Sequence, residues 1–215
     1  MPKKINVLLV DDHAVVRAGY KTYLLLNDRI GEVFEADRGE VACQVYQQHA
    51  TDVVVMDLSM PGMSGFESIH RLVQRDHACK VLVFSNHYEL AYVTRAIKAG
   101  AKGYISKTSA PSTLVAAVCQ VAEGGAFIEP EIAQRLALSM VLELDEAAKI
   151  KSLSAREFDI FCLLANGLSC KEAADRLCIS SKSVSNYATA IKDKLGVKTW
   201  SELTLAATRQ GIIKV

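Results

Sequence analysis

The sequence predicts an α/β fold, a doubly wound five-stranded parallel sheet flanked by helices, followed by a small all-α domain of four helices that contains a helix-turn-helix. Short apolar runs alternate with helical periodicity up to about residue 123, the pattern of parallel strands joined by crossover helices. After residue 152 only helical periodicity remains. Carboxylates stand at two strand ends, and in open parallel sheets ligands bind at the carboxyl edge where strand order reverses.

The first strand is expected at 5–10, an apolar segment that stops at the pair Asp11 and Asp12. Further strands are expected at 33–36, 53–57, 80–84 and 103–106. Val53, Val54, Val55 and Met56, just before Asp57, form the unbroken run of a strand covered on both faces. Helices are expected near 13–26, 39–49, 65–75, 88–99 and 111–123, the last opened by Pro111 and punctuated by Gly124-Gly125. Residues 1–123 therefore make one domain. Residues 124–152 read as a linker, helical near 131–147, where Leu136, Met140 and Leu144 recur at helical spacing. That pattern is too short for a coiled coil.

Residues 153–215 make the second domain. Ser154-Ala-Arg-Glu157 is a capping box, and Phe158, Phe161, Cys162 and Ala165 follow at the helical period until Asn166-Gly167 ends the helix. A short helix at 169–177 leads through Cys178-Ile179-Ser180 into a helix at 181–195 capped by Ser180. Two helices joined by a tight turn in a basic domain suggest helix-turn-helix DNA binding. Val184, Tyr187, Ala188, Ile191 and Leu195 form an apolar stripe on the second helix. Lys182, Ser185, Asn186, Thr189 and Lys192, with Ser183 beside them, form the polar one. Small polar groups reach base edges in a major groove and lysines meet phosphates, whereas any one of these residues alone would read as solvated helix surface.

The net charge of +1 conceals an asymmetry. Residues 1–148 carry 14 Lys and Arg against 18 Asp and Glu, and the remainder 11 against 6, so the smaller domain is basic. No stretch approaches the roughly 20 apolar residues of a membrane span. The apolar run after Lys3 and Lys4 is too short for a signal peptide, so a cytoplasmic location is expected. The six cysteines include no Cys-x-x-Cys pair, and all five histidines lie at or before His87. Zinc in the basic domain would lack histidine ligands, and reduced thiols are expected.

Three clustered carboxylates repel unless something offsets them. Magnesium does so, taking one or two carboxylates and sharing its shell with phosphate. Ser85 after the fourth strand supplies a hydroxyl, and Lys107 after the fifth a mobile point charge suited to a phosphoryl oxygen. Singly, each has a plain alternative: Asp57, Asp11 or Asp12 as a turn or helix cap, Lys107 as a surface lysine, Tyr104 as core. Their order on successive strand ends favours phosphate chemistry.

On these residues, 5 to about 123 resemble a receiver domain of bacterial two-component signalling, a flavodoxin-like fold. The resemblance implies that Asp57 accepts a phosphoryl group, that Asp11, Asp12, Asp57 and the backbone carbonyl of Ser59 hold Mg2+ or Mn2+, and that Ser85, Tyr104 and Lys107 are the switch hydroxyl, switch aromatic and phosphate-binding lysine. Leu153-Ser-Ala-Arg-Glu157, Gly167-Leu-Ser-x-Lys-Glu172, Ile179-Ser-x-Lys-Ser-Val184 and Lys194-Leu-Gly-Val197 resemble a LuxR-type DNA-binding domain. The whole chain thus resembles a response regulator of the NarL/FixJ class. Ser185, Tyr187 and Trp200 depart from residues common at those positions, which bears on the DNA sequence recognised.

The resemblance further implies that the last helix, near 199–209, pairs two copies through Trp200, Leu203, Thr204 and Ala207, core packing being an equal reading of Leu203. Expected partners are a histidine kinase or small phosphodonor, double-stranded promoter DNA and a second copy, with RNA polymerase left open and no membrane. The chain is then a transcription regulator rather than an independent enzyme. Constitutive DNA binding, or a receiver that captures a protein partner, are the alternatives.

Overall fold

The computed structural model describes residues 3–141, 149–150, 152–209 and 212–213. The chain divides into two compact units, Met1–Tyr88 with Ala96–Ile132, and Glu89–Arg95 with Ala133–Val215.

Over residues 5–128, strands β1 (Ile5–Val10), β2 (Ile30–Ala36), β3 (Val53–Met56), β4 (Val81–Ser85), β5 (Gly103–Ser106) and β6 (Phe127–Ile128) alternate with helices α1 (Ala14–Leu25), α2 (Gly39–Gln48), α3 (Gly65–Arg75), α4 (Leu90–Ala99) and α5 (Pro111–Ala122). The strands pair in parallel in the order β2-β1-β3-β4-β5-β6, so strand order reverses between β1 and β3. All four residues of β3 are fully buried, which is why its sequence is apolar without alternation. The edge strand β2 starts at Ile30 rather than near 33 because its outward residues Gly31 and Glu32 hide the period. One core joins Val7, Leu9, Val53, Val55, Leu82, Phe84 and Ile105 to Leu114 and Val118 of α5.

The sheet has six strands, not five. Gly124 takes a φ of 91° after α5, and the Phe127 N–H and Glu129 N–H then donate to the Lys102 and Tyr104 carbonyls at 3.1 Å each. A two-residue strand has no period to betray it, and it lies in the segment assigned to the linker. Helix α6 (Pro130–Val141) opens the helical stretch expected near 131–147; the remainder to residue 147 lies outside the described residues.

The second unit contains α7 (Ala155–Ala165), α8 (Cys170–Leu177), α9 (Ser181–Leu195) and α10 (Trp200–Arg209). The Ser154–Glu157 capping box forms, and a second, Ser169–Glu172, opens α8. Cys178 ends α8 in the left-handed region at φ 53°. Phe158, Ile160, Phe161, Ala173, Val184, Ile191, Leu203 and Ala207 fill the core. Glu89–Arg95 belongs to this unit, where the Tyr92 ring meets Phe158 edge-on at 5.1 Å between centroids and Arg95 lies 4.6 Å over the same ring.

Candidate functional site

The ladder that aligns the strands also aligns their ends. The Asp57 N–H donates to the Val10 carbonyl at 2.9 Å, placing Asp57 beside Asp11, and the Lys107 N–H donates to the Ser85 carbonyl at 2.9 Å. Four strand ends therefore converge on one pocket, and it sits where strand order reverses.

Lys107 Nζ lies 2.6 Å from Asp11 Oδ2 and 2.8 Å from Asp57 Oδ2, with both carboxylates almost wholly buried. The Leu58 N–H donates to the other Asp57 oxygen at 2.7 Å. Burial pushes the Asp57 carboxyl above the ordinary carboxylate range, against the pull of Lys107. Burial opposes the charge on Lys107, yet Asp57 and Asp11 outweigh it and hold the ammonium above its usual value. The lysine thus bridges two carboxylates, where a phosphoryl group would bring further negative charge.

The carboxylates of Asp11, Asp12 and Asp57, together with the ring of His13, place ligand atoms within 4.8 Å of one another. Asp12 Oδ1 is buried without a hydrogen-bond partner, although His13 Nδ1 stands 2.9 Å from it. An oxygen-rich pocket with an unsatisfied carboxylate oxygen fits a hard divalent cation. His13 is the residue that sequence reasoning passed over; its only signal is that it follows the acidic pair. The Ser59 hydroxyl is paired with His87 Nε2 at 2.9 Å.

Ser85 and Tyr104, the expected switch residues, both meet the backbone of His87. Ser85 is fully buried, and its Oγ accepts the His87 N–H at 3.2 Å. Tyr104 is fully buried, and its hydroxyl donates to the His87 carbonyl at 2.6 Å. His87, beside Ser59, Ser85 and Tyr104, therefore ties the loop that precedes α4 to the pocket.

On α9 the two expected faces separate. Val184, Ala188, Ile191 and Leu195 are buried and Tyr187 is half-buried; Lys182, Ser185, Asn186 and Thr189 are exposed, while Ser183 and Lys192 are half-buried. The Ser180 side chain accepts the Ser183 N–H at 3.0 Å, capping the helix as its sequence suggests. Ser185 and Thr189 donate their hydroxyls to carbonyls four residues back at 3.1 and 3.2 Å. In that rotamer each offers an outside group an acceptor.

The stripe expected to pair two copies needs correction. Leu203 and Ala207 are fully buried within their own unit, because α10 closes the core over α7. Thr204 is half-buried, and the exposed apolar residues of α10 are Trp200 and Leu205.

Residues 7–119 match the family model of the response regulator receiver domain, and residues 151–207 that of bacterial regulatory proteins of the luxR family. The chain is 39% identical over 212 residues to the transcriptional activator protein ExaE of Pseudomonas putida, covering 98% of this chain and 99% of that protein. It is 37% identical over 208 residues to the response regulator UvrY of Escherichia coli K12, covering 97% and 95%. A solved structure of the RcsB response regulator of Salmonella typhimurium is similar in fold, with a TM-score of 0.71 over 97% of this chain and 98% of that one, at 24% identity. No helix among the described residues is long and apolar enough to cross a membrane.

Proposed function

The chain belongs to the two-component transcriptional response regulators of the NarL/FixJ class, a receiver followed by a LuxR-type DNA-binding domain, and on that premise we propose that phosphorylation of Asp57 controls its binding to promoter DNA. The observation that carries the reading is the bridge from Lys107 to both Asp11 and Asp57 at the carboxyl edge of the sheet.

Asp57 attacks the phosphorus of a phosphohistidine on a partner kinase, or of a small phosphodonor; a bond from oxygen to phosphorus forms as the bond to the donor breaks. Lys107 exchanges one carboxylate oxygen for a phosphoryl oxygen, which its three donors and flexible stem permit. Mg2+ or Mn2+, held by Asp11, Asp12, Asp57 and the Ser59 carbonyl, would offset the charge gathered on the transferring group. Ser85 turns its hydroxyl from the His87 N–H towards the phosphoryl oxygens, and Tyr104 moves into the space released. The loop at His87 and the helices that follow, α4 and α5, then change their contacts: a local charge event biases a two-state surface. In the domain 153–215, joined by the linker 124–152 to the receiver 1–123, α9 enters a major groove. Lys182 and Lys192 meet phosphates; Ser183, Ser185, Asn186 and Thr189 lie near base edges. Two copies bind paired half-sites in the cytoplasm, with α10 contributing Thr204.

The test is DNA affinity of the full chain with magnesium, with and without an acyl phosphate, at fixed salt because phosphate contacts are salt-dependent. Promoter fragments enriched from its own genome serve as probe. Tighter binding with phosphodonor is expected, and Asp57→Asn is expected to lose both the tightening and acid-labile phosphorylation. Full labelling of that variant would sink the assignment of Asp57, and unchanged wild-type affinity would move the weight to constitutive DNA binding.

A further inference from the structure

Lys192 ends the polar face of α9, and its ammonium lies 4.8 Å from the centroid of the Trp200 ring at the start of α10. The connection between the two helices makes this meeting. Gly196 takes a φ of 70°, and the Val197 N–H donates back to the Lys192 carbonyl at 3.0 Å, so the chain turns sharply at the end of α9. The Lys198 N–H donates to a Glu202 carboxylate oxygen at 2.7 Å and the Glu202 N–H to Thr199 Oγ1 at 3.2 Å, which fixes where α10 begins. Buried Leu203 and Ala207 hold that helix down. Trp200 itself is 44% exposed, so its ring is not needed to fill the core.

The other cation of the last turn, Lys194, is engaged by both Glu157 oxygens at 2.8 Å. Lys192 has no such carboxylate among the ion pairs of the described residues, and its ammonium meets the indole face instead. An indole face attracts a cation without consuming its N–H donors. A lysine held in this way has already lost part of the freedom that binding a phosphate would remove.

We propose that Trp200 is a positioning residue for DNA binding, its ring holding the Lys192 ammonium at the end of α9 for contact with a backbone phosphate. This rests on α9 being the DNA-contacting helix.

The experiment uses the full chain with magnesium and an acyl phosphate, a promoter fragment enriched from its own genome, and a salt titration. Lys192→Ala is expected to weaken binding several-fold and lower the salt slope by about 1. Trp200→Ala is expected to weaken binding about 2- to 5-fold, the range of an exposed cation–π pair, with Trp200→Phe retaining part of the affinity. In the Lys192→Ala background, Trp200→Ala is expected to cost nothing more. Trp200 is the only tryptophan, so its emission is expected to shift in Lys192→Ala with no other indole contributing. An equal cost of Trp200→Ala in both backgrounds would place its role elsewhere, as in pairing of copies, and would overturn the proposal. A silent Lys192→Ala beside a weakened Lys182→Ala would also overturn it while leaving DNA binding by α9 intact. Absence of DNA binding by the wild-type chain in either phosphorylation state would remove the premise itself.

Discussion

Gly65 shows how closely the pocket is built. A Cβ added there would collide with the Asp57 carbonyl oxygen and lie 2.6 Å from Leu58 Cα, so the start of α3 reaches the loop after Asp57 only without a side chain. Gly65→Ala is expected to destabilise the first unit by about 1–3 kcal/mol, as overpacking does, and to depress phosphoryl labelling of Asp57. Labelling at the wild-type level would show that the loop can retreat freely. Tyr104 separates packing from hydrogen bonding. Tyr104→Ala removes a fully buried ring and is expected to cost about 3–5 kcal/mol in denaturant unfolding. Tyr104→Phe only leaves the His87 carbonyl without its donor, at about 1 kcal/mol.

Among the elements, α7 carries a pH-sensitive start. Burial alone would raise the Glu157 carboxyl; the Lys194 ammonium and the hydrogen bonds with Ser154 outweigh it and hold the group below the ordinary glutamate range. A depressed folded value means that the stabilisation is fully present above the unfolded value of about 4.3 and is lost as pH falls through the folded one. Thermal unfolding of the second unit is therefore expected to shift downward on acidification in this window. In Glu157→Gln the shift is expected to be smaller and stability at neutral pH lower. Ser154→Ala removes the cap itself, at about 1 kcal/mol. The same physics holds α9, where Ser180→Ala is expected to loosen the first turn and weaken DNA affinity through Lys182 and Ser183.

For the whole molecule, α4 is an element whose residues fall in both units, Leu90–Arg95 in the second and Ala96–Ala99 in the first, as α6 does across Ile132 and Ala133. It starts three residues after His87, whose carbonyl receives the Tyr104 hydroxyl. Within the second unit, Tyr92 of α4 meets the Phe158 ring edge-on. Tyr92→Ala is expected to narrow the ratio of DNA affinities measured with and without phosphodonor while leaving acid-labile labelling of Asp57 in place; an unchanged ratio would remove Tyr92 from the proposed regulation. Chelation of divalent cations is expected to suppress labelling itself. Both measurements treat regulation as a difference between two states.

The residues themselves located the pocket: Asp11, Asp12, Asp57, Ser85 and Lys107 each end a strand whose apolar run is legible, and the Ser154, Ser180 and Glu157 caps are local signals read over three or four residues. Local physics determines such features, because burial on both faces demands apolar side chains and a helix end demands an acceptor. What the linear pattern left open depended on partners distant in the chain. β6 exists because β5 offers an unpaired edge, and two residues hold no period of their own. Asp57 joins Asp11, Asp12 and His13 because the β1–β3 ladder brings it beside Asp11. Leu203 and Ala207, apolar at helical spacing, suited an interface or a core equally well; only the packing of α10 over α7 assigned them to the core and left Trp200 beside Lys192.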